Sequence, residues 1–320
     1  MGKYSISVSP HINDKSTTSR IMLDVLIALV PSFIASILIF GPRAAVVTFV
    51  CVASCVFFEW GYLKIVKKPN PLVIIRDYSA CITGVILAFN LPVTIPIWQA
   101  VVGSAVAIIL VKQLFGGLGK NIFNPAETAR VFMFIAFATT MTTWVKPLDF
   151  STWVSPSNLD GLTAATPLAL IKHGDVGALP GVWEMFIGVR GGCLGETSNL
   201  ALLIGGIYLM FRRVISWHTP VAYIAMVAAF SALLGFDPVY QIFGGGLFLG
   251  AIFMATDYVT APQTKLGQLI FGVMCGFFTV IIRVYSNYPE GVSFSILFMN
   301  ILTPYINKLT ETKPLGGVKK

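Results

Sequence analysis

Charge is what this chain has least of. Only 11% of its 320 residues are Asp, Glu, Lys or Arg, against the roughly 25% with which soluble domains wet their surfaces. With 56% apolar residues it cannot cover a globule with polar groups, so a soluble domain and a disordered chain are both excluded. Histidine is nearly absent: His11, His173 and His218 have no partners at ligand spacing, which argues against a haem or zinc centre. Five cysteines form no even framework, so no disulfide scaffold is expected. Cys51 and Cys55, four apart, read as small packing residues on one helix face. Neither a Walker sequence nor a glycine fingerprint behind a strand is present. The net charge of +8 suggests nucleic acid in a soluble protein, but in so apolar a chain it reports orientation, with lipid as the partner and no nucleic acid.

What is present is apolar sequence in runs of about 20 residues, enough to cross about 30 Å of hydrocarbon. Ten such runs lie near 21–40, 43–64, 77–92, 94–114, 126–145, 197–215, 219–236, 239–256, 267–284 and 293–309. The expected fold is an all-α polytopic membrane protein, a single transmembrane domain over residues 1–320. The third run is short and holds Asp77, Asn90 and Pro92, as a broken or tilted segment would. Residues 1–20 are polar and the first apolar run is too long for a signal peptide. An even span count puts both termini on one side. Seventeen of the 22 Lys and Arg fall on that side, leaving Arg43, Lys146, Lys172, Arg190 and Arg283 on the other. The positive-inside rule then makes the termini cytoplasmic and the long loop 147–196 external. Gly, Pro, Ser and Thr in that loop predict irregular backbone with short helical pieces.

Within the loop runs Asp160-Gly161-Leu162-Thr163-Ala164-Ala165-Thr166-Pro167-Leu168. Asp160-Gly161 reads as a turn and Thr163 as the cap of a short helix reaching Ile171. Ala164 and Ala165 leave the Thr166 hydroxyl open to a large group. The stretch resembles the flavinylation motif of the RnfD/NqrB family, membrane subunits of the Rnf complex and of the sodium-pumping NADH:quinone oxidoreductase. Other stretches resemble that family in the same order along the chain. They are Ser9-Pro10-His11, the glycine turn Gly116 to Ala126, Gly191 to Ser198, Met254 to Asp257 and Tyr288 to Gly291.

The resemblance implies a redox subunit of an ion-translocating ferredoxin:NAD+ oxidoreductase in the bacterial cytoplasmic membrane. Thr166 would carry FMN as a phosphoester, after a flavin transferase recognises Asp160 and its neighbours and the hydroxyl displaces AMP from FAD. Gly161, Thr163, Ala165 and Pro167, with Glu196 and Thr197 at the start of the sixth run, would cradle the cofactor. A second, non-covalent flavin (riboflavin) would lie near the cytoplasmic glycine turn. Ferredoxin- and NAD-reacting sites, and a second FMN-bearing subunit, would be partners in the complex. Length favours the Rnf protein over the quinone-reductase homologue.

The residues also have readings independent of that family. Glycines at 116–119 and 191–195 suit either a cofactor edge or close helix packing. Asn124-Pro125 reads as a helix start. Glu127 and Arg130, three apart, are placed to neutralise one another, and Asp24 and Glu59 to snorkel toward an interface. Short echoes, Phe115-Gly116-Gly117 with Phe243-Gly244-Gly245 and Asp77-Tyr78-Ser79 with Glu196-Thr197-Ser198, suit an inverted repeat. That pattern keeps a permease or channel open as the rival to a redox subunit.

Overall fold

A computed structural model describes residues 17–145, 147–148, 166–173, 177, 179–286 and 290–311. Every regular element among them is helical. Among the described residues, three helices are long and apolar enough to cross a membrane: α1 (Thr18–Phe40), α2 (Pro42–Ile65) and a late helix at Lys265–Tyr285. The α1 sequence shows why lipid suits it. Leu23, Ile27, Val30, Ile34 and Leu38 recur every three or four residues and are all exposed, whereas Asp24, Ala28, Ser32 and Ser36 on the opposite face are buried. An apolar exterior over a more polar interior is the arrangement a bilayer selects.

The other apolar runs are shorter or broken. After α3 (Pro71–Ile75), the third run becomes α4 (Ser79–Phe89), eleven residues ending before Asn90 and Pro92. Next comes α5 (Ile97–Ala105), which continues as a π-helical segment, Val106–Gln113. The fifth run divides into α6 (Pro125–Ala136) and α7 (Ala138–Met141) at Phe137. Two short helices, α8 (Pro167–His173) and α9 (Val182–Ile187), lie in the long loop, as its composition predicts. They are followed by α10 (Asn199–Phe211) and α11 (His218–Leu233). The eighth run is not one helix. It splits into α12 (Pro238–Phe243), a Gly244–Gly246 break, and α13 (Leu247–Leu249) leading into a second π-helical segment, Gly250–Met254. The chain then forms α14 (Lys265–Tyr285) and α15 (Val292–Leu309).

Helix starts are written locally. Asn124 Oδ1 accepts from the amides of Ala126 (3.1 Å) and Glu127 (3.4 Å), with Pro125 at the first helical position. Asp237-Pro238 starts α12 in the same way. Pro costs nothing there because its missing N–H would be unpaired anyway. Packing relies on small residues. A Cβ on Gly205 would stand 2.1 Å from the Ala28 carbonyl oxygen, so α10 lies directly on the α1 backbone. The most extensive helix contacts are α11 with α14 and α2 with α4. Cys51 and Cys55 are buried on α2, as small packing residues should be.

Candidate functional site

The described parts of the long loop, residues 166–173 and 179–196, pack over the break between α12 and α13. Ending α12 at Phe243 leaves backbone carbonyls without helical partners, and buried side chains supply them. Arg190 donates to the carbonyls of Phe243 and Gly245, and to that of Glu196 at 2.6 Å. Arg283, on α14, donates to Gly244 (3.0 Å) and Gln241 (2.6 Å). Asn199 bridges Met185 and Phe243, both at 3.1 Å. Burial lowers the Arg190 guanidinium to about 10.

A cavity opens against this scaffold, lined by Thr166, Pro167, Leu168, Arg190, Gly191, Gly192, Glu196, Gly245 and Glu290. Thr166 is only half-buried, and its hydroxyl accepts from the Ala169 amide at 3.3 Å. It is therefore Thr166 that caps the short helix. The expected cap, Thr163, lies outside the described residues, as do Asp160, Gly161 and Ala165, and with them Ser9-Pro10-His11 and Tyr288-Pro289. Pro167 and Glu196 do meet Thr166 at one cavity. Thr197 does not line it; it is buried behind Gly188 and Gly192. Gly195 is a packing residue, since its Cβ would fall 2.1 Å from the Phe89 ring.

Beneath the cavity lies a buried charge cluster that sequence spacing did not indicate. Arg130 forms an ion pair with Glu290 and stands 3.6 Å from Glu196. It also donates to Asn90 Oδ1 at 2.6 Å and reaches Cys193 Sγ at 3.7 Å. Glu196 Oε1 accepts from the Cys193 amide (3.1 Å), while its Oε2 is buried without a partner. Cys193, Glu196 and Glu290 bring ligand-type atoms within 4.8 Å of one another, but the guanidinium already serves them as the cation. Burial pushes the Glu290 carboxyl up to about 7, against the pull of Arg130, and raises the Cys193 thiol well above its ordinary value.

Three expectations are corrected here. Arg130 does not neutralise Glu127; it turns to Glu290 and Glu196, and both Glu127 oxygens are buried without a hydrogen bond. Arg130, one of the seventeen basic residues assigned to the side of the termini, is buried, being 3% exposed. Asp24 and Glu59 do not snorkel. Asp24 accepts from Tyr208 (3.0 Å) and pairs with Arg212 (3.1 Å), and Glu59, 1% exposed, pairs with Lys112 at 2.6 Å and accepts from Gln113 at 2.7 Å.

A second cleft opens at the end of the fold where α1 begins. It encloses a cavity of about 90 Å³ that continues into open solvent. Ile82, Ile86, Ile215 and Phe253 wall it, with Ser79, Lys112, Asn121, Asn124 and Asp257 as its polar groups. Lys112 also donates to Ser79 Oγ at 2.6 Å, and Ser79 to Asp77 at 2.6 Å. The glycine turn shapes the mouth: Gly116, Gly117 and Gly119 have φ of 112°, 94° and 87°, which only glycine adopts without strain.

The described parts of the motif stretches thus border two places, the loop cavity and the cleft. The NQR2, RnfD, RnfE family pattern matches residues 5–316. The chain belongs to this family. The D subunit of the Na(+)-translocating ferredoxin:NAD(+) oxidoreductase complex of Acetobacterium woodii is 46% identical over 317 residues, covering 98% of this chain and 96% of the relative. The D subunit of the proton-translocating ferredoxin:NAD(+) oxidoreductase complex of Clostridium ljungdahlii is 39% identical, with 98% and 96% covered. Its counterpart in the ion-translocating oxidoreductase complex of Stutzerimonas stutzeri is 39% identical, with 94% and 93% covered. Membership covers both the cavity and the cleft. The chain is accordingly a subunit of a redox-driven translocase family and a multi-pass membrane protein.

Proposed function

We propose that this chain is the FMN-bearing RnfD-type membrane subunit of an ion-translocating ferredoxin:NAD+ oxidoreductase, with FMN joined to Thr166 through its phosphate. The supporting observation is that Thr166 and Glu196 border one cavity with Arg190 and the glycines 191, 192 and 245. The cavity itself is water-sized, about 10 Å³, so the flavin lies outside it with only an edge group reaching in. Glycine backbone permits close approach, and the orphaned Glu196 Oε2 leaves a polar atom for a ligand to satisfy. Bound FMN supplies the redox chemistry. The chain positions it on Thr166, holds the loop to the α12–α13 break through Arg190, and balances buried charge with Arg130.

In this reading the ten apolar runs cross the cytoplasmic membrane as an inverted repeat, both termini are cytoplasmic, and loop 147–196 faces outward where the flavin transferase works. Electrons pass between ferredoxin- and NAD-reacting partner subunits. The second cleft takes a non-covalent flavin, riboflavin, between its apolar walls, with Lys112 and Asn124 as polar contacts. The names of the A. woodii and C. ljungdahlii relatives favour a complex that oxidises ferredoxin and reduces NAD+ over one that oxidises NADH and reduces quinone.

The test is direct. The chain, co-expressed with a flavin transferase, is resolved on a denaturing gel under ultraviolet light. A fluorescent band, and a Thr166 peptide heavier by FMN minus water, are expected. A dark band would refute the covalent flavin. Flavin released from native protein on denaturation would identify the second one, and Lys112→Met should reduce its yield.

A further inference from the structure

Helix α6 connects the two sites. Its cap, Asn124, borders the cleft, and Arg130 stands in the charge cluster under the loop cavity. Six residues at 1.5 Å each separate them by about 9 Å of helix rise. Midway lies Glu127, 0% exposed, with neither carboxylate oxygen hydrogen-bonded. Beside it on α15 is Ser293, 5% exposed, whose hydroxyl also makes no hydrogen bond of normal geometry. Ser293 lines a small cavity of about 20 Å³ with Arg130 and Glu290, room for one water.

The groups around Glu127 do not discharge it. Arg130, one turn away, attracts it through space, but its hydrogen bonds and ion pairs go to Glu290, Glu196 and Asn90. Cys275 on α14 is near and carries no positive charge, and Glu196 and Glu290 repel a second anion. A carboxylate this dry, with the Ser293 hydroxyl beside it but no well-formed hydrogen bond on either oxygen, is not a stable resting arrangement. A cation on its oxygens would satisfy it, and the Ser293 hydroxyl beside it offers a further oxygen ligand.

We infer that Glu127 is an exchange site for a small monovalent cation, a proton or Na+, set between the cleft and the charge cluster. The inference extends the proposed role in a cation-moving complex, but does not depend on flavin at Thr166. A cation entering from the cleft side passes Asn124 to reach Glu127, and leaves through the water-sized cavity that Ser293 shares with Glu290.

Trypsin isolates the site, because residues 121–130 (Asn-Ile-Phe-Asn-Pro-Ala-Glu-Thr-Ala-Arg) follow Lys120, end at Arg130 and contain Glu127 as their one acidic residue. The complete complex is treated with dicyclohexylcarbodiimide, which modifies protonated carboxyls in apolar places, and this peptide is weighed. Modification of at least half of it at mildly acidic pH is expected. Suppression by NaCl at constant pH identifies Na+; loss only on raising the pH identifies the proton. A peptide left unmodified at every pH and salt concentration overturns the inference. Glu127→Gln, reconstituted in vesicles, should lower cation transport per electron at least tenfold while keeping the fluorescent band on the gel. Transport at the native ratio in that variant also overturns it, whereas a lost band in the native chain would count only against the Thr166 assignment.

Discussion

The guanidinium of Arg130 stands 3.6 Å from the carboxylate of Glu196 in a site closed to solvent. Arg130 comes from one short helix and Glu196 from the end of the long loop. Their meeting, with Glu290 as third member, joins the loop to the helical core. Because these charges are out of water, each depends on the others.

Arg130→Gln should therefore cost about 3–5 kcal/mol, as removal of one partner from a buried ionic group does. The charge of Glu196, and that of Glu290 at pH values where it is ionised, would be left without a counter-ion. Thermal unfolding of the detergent-solubilised protein measures this. Combining Arg130→Gln with Glu196→Gln and Glu290→Gln should recover part of the loss, and a triple variant no better than the single one would contradict the charge argument.

Thr166 offers a cleaner chemical test. Thr166→Ala removes the nucleophilic oxygen and should abolish covalent flavin, while Thr166→Ser should retain it. The hydroxyl also accepts one bond from Ala169, so the alanine variant should lose about 1 kcal/mol of local capping energy. Gel fluorescence reads the first effect and proteolysis of the loop the second. Flavin retained in the alanine chain would move the attachment elsewhere.

Glu290 gives a pH dependence with a defined sign. Burial raises its carboxyl from 4.5 to about 7, so the folded state favours the protonated form. Its stabilising contribution is complete below about 4.5 and is lost as pH rises through about 7. Melting temperature should thus fall across this interval, and Glu290→Gln should flatten the profile. An identical slope in the variant would assign the dependence to another group.

At Gly195 the test is steric. A methyl group there would lie 2.1 Å from Phe89, while the Gly195 amide donates to the Phe89 carbonyl at 2.9 Å. Gly195→Ala should cost about 1–3 kcal/mol through overpacking and lift the loop from α4. Gly61→Ala, with nothing within 4 Å of the added carbon, should be neutral or stabilising because alanine favours helix. Equal melting temperatures for the two variants would show that the loop adapts.

Much of this protein was legible in its sequence, and the reason is lipid. Scarce charge and long apolar runs exclude a soluble fold, and α1, α2 and α14 follow because a backbone in hydrocarbon must satisfy its own hydrogen bonds. Asn124-Pro125 announced a helix start, and the glycines of the 116–119 turn a positive φ, because both signals are local. The break in the eighth run was hidden. Helix can stop at Phe243 only where outside donors take its carbonyls, and those donors, Arg190 and Arg283, come from distant segments. Spacing likewise pointed Arg130 to Glu127, its nearest acid along the helix, although tertiary packing brings Glu196 and Glu290 closer to its guanidinium. By itself the sequence determined membrane residence, helical class and family; which charges pair, and that Glu127 is left unpaired, only the tertiary structure decided, because ion pairing follows distance in space and local periodicity carries no information about it.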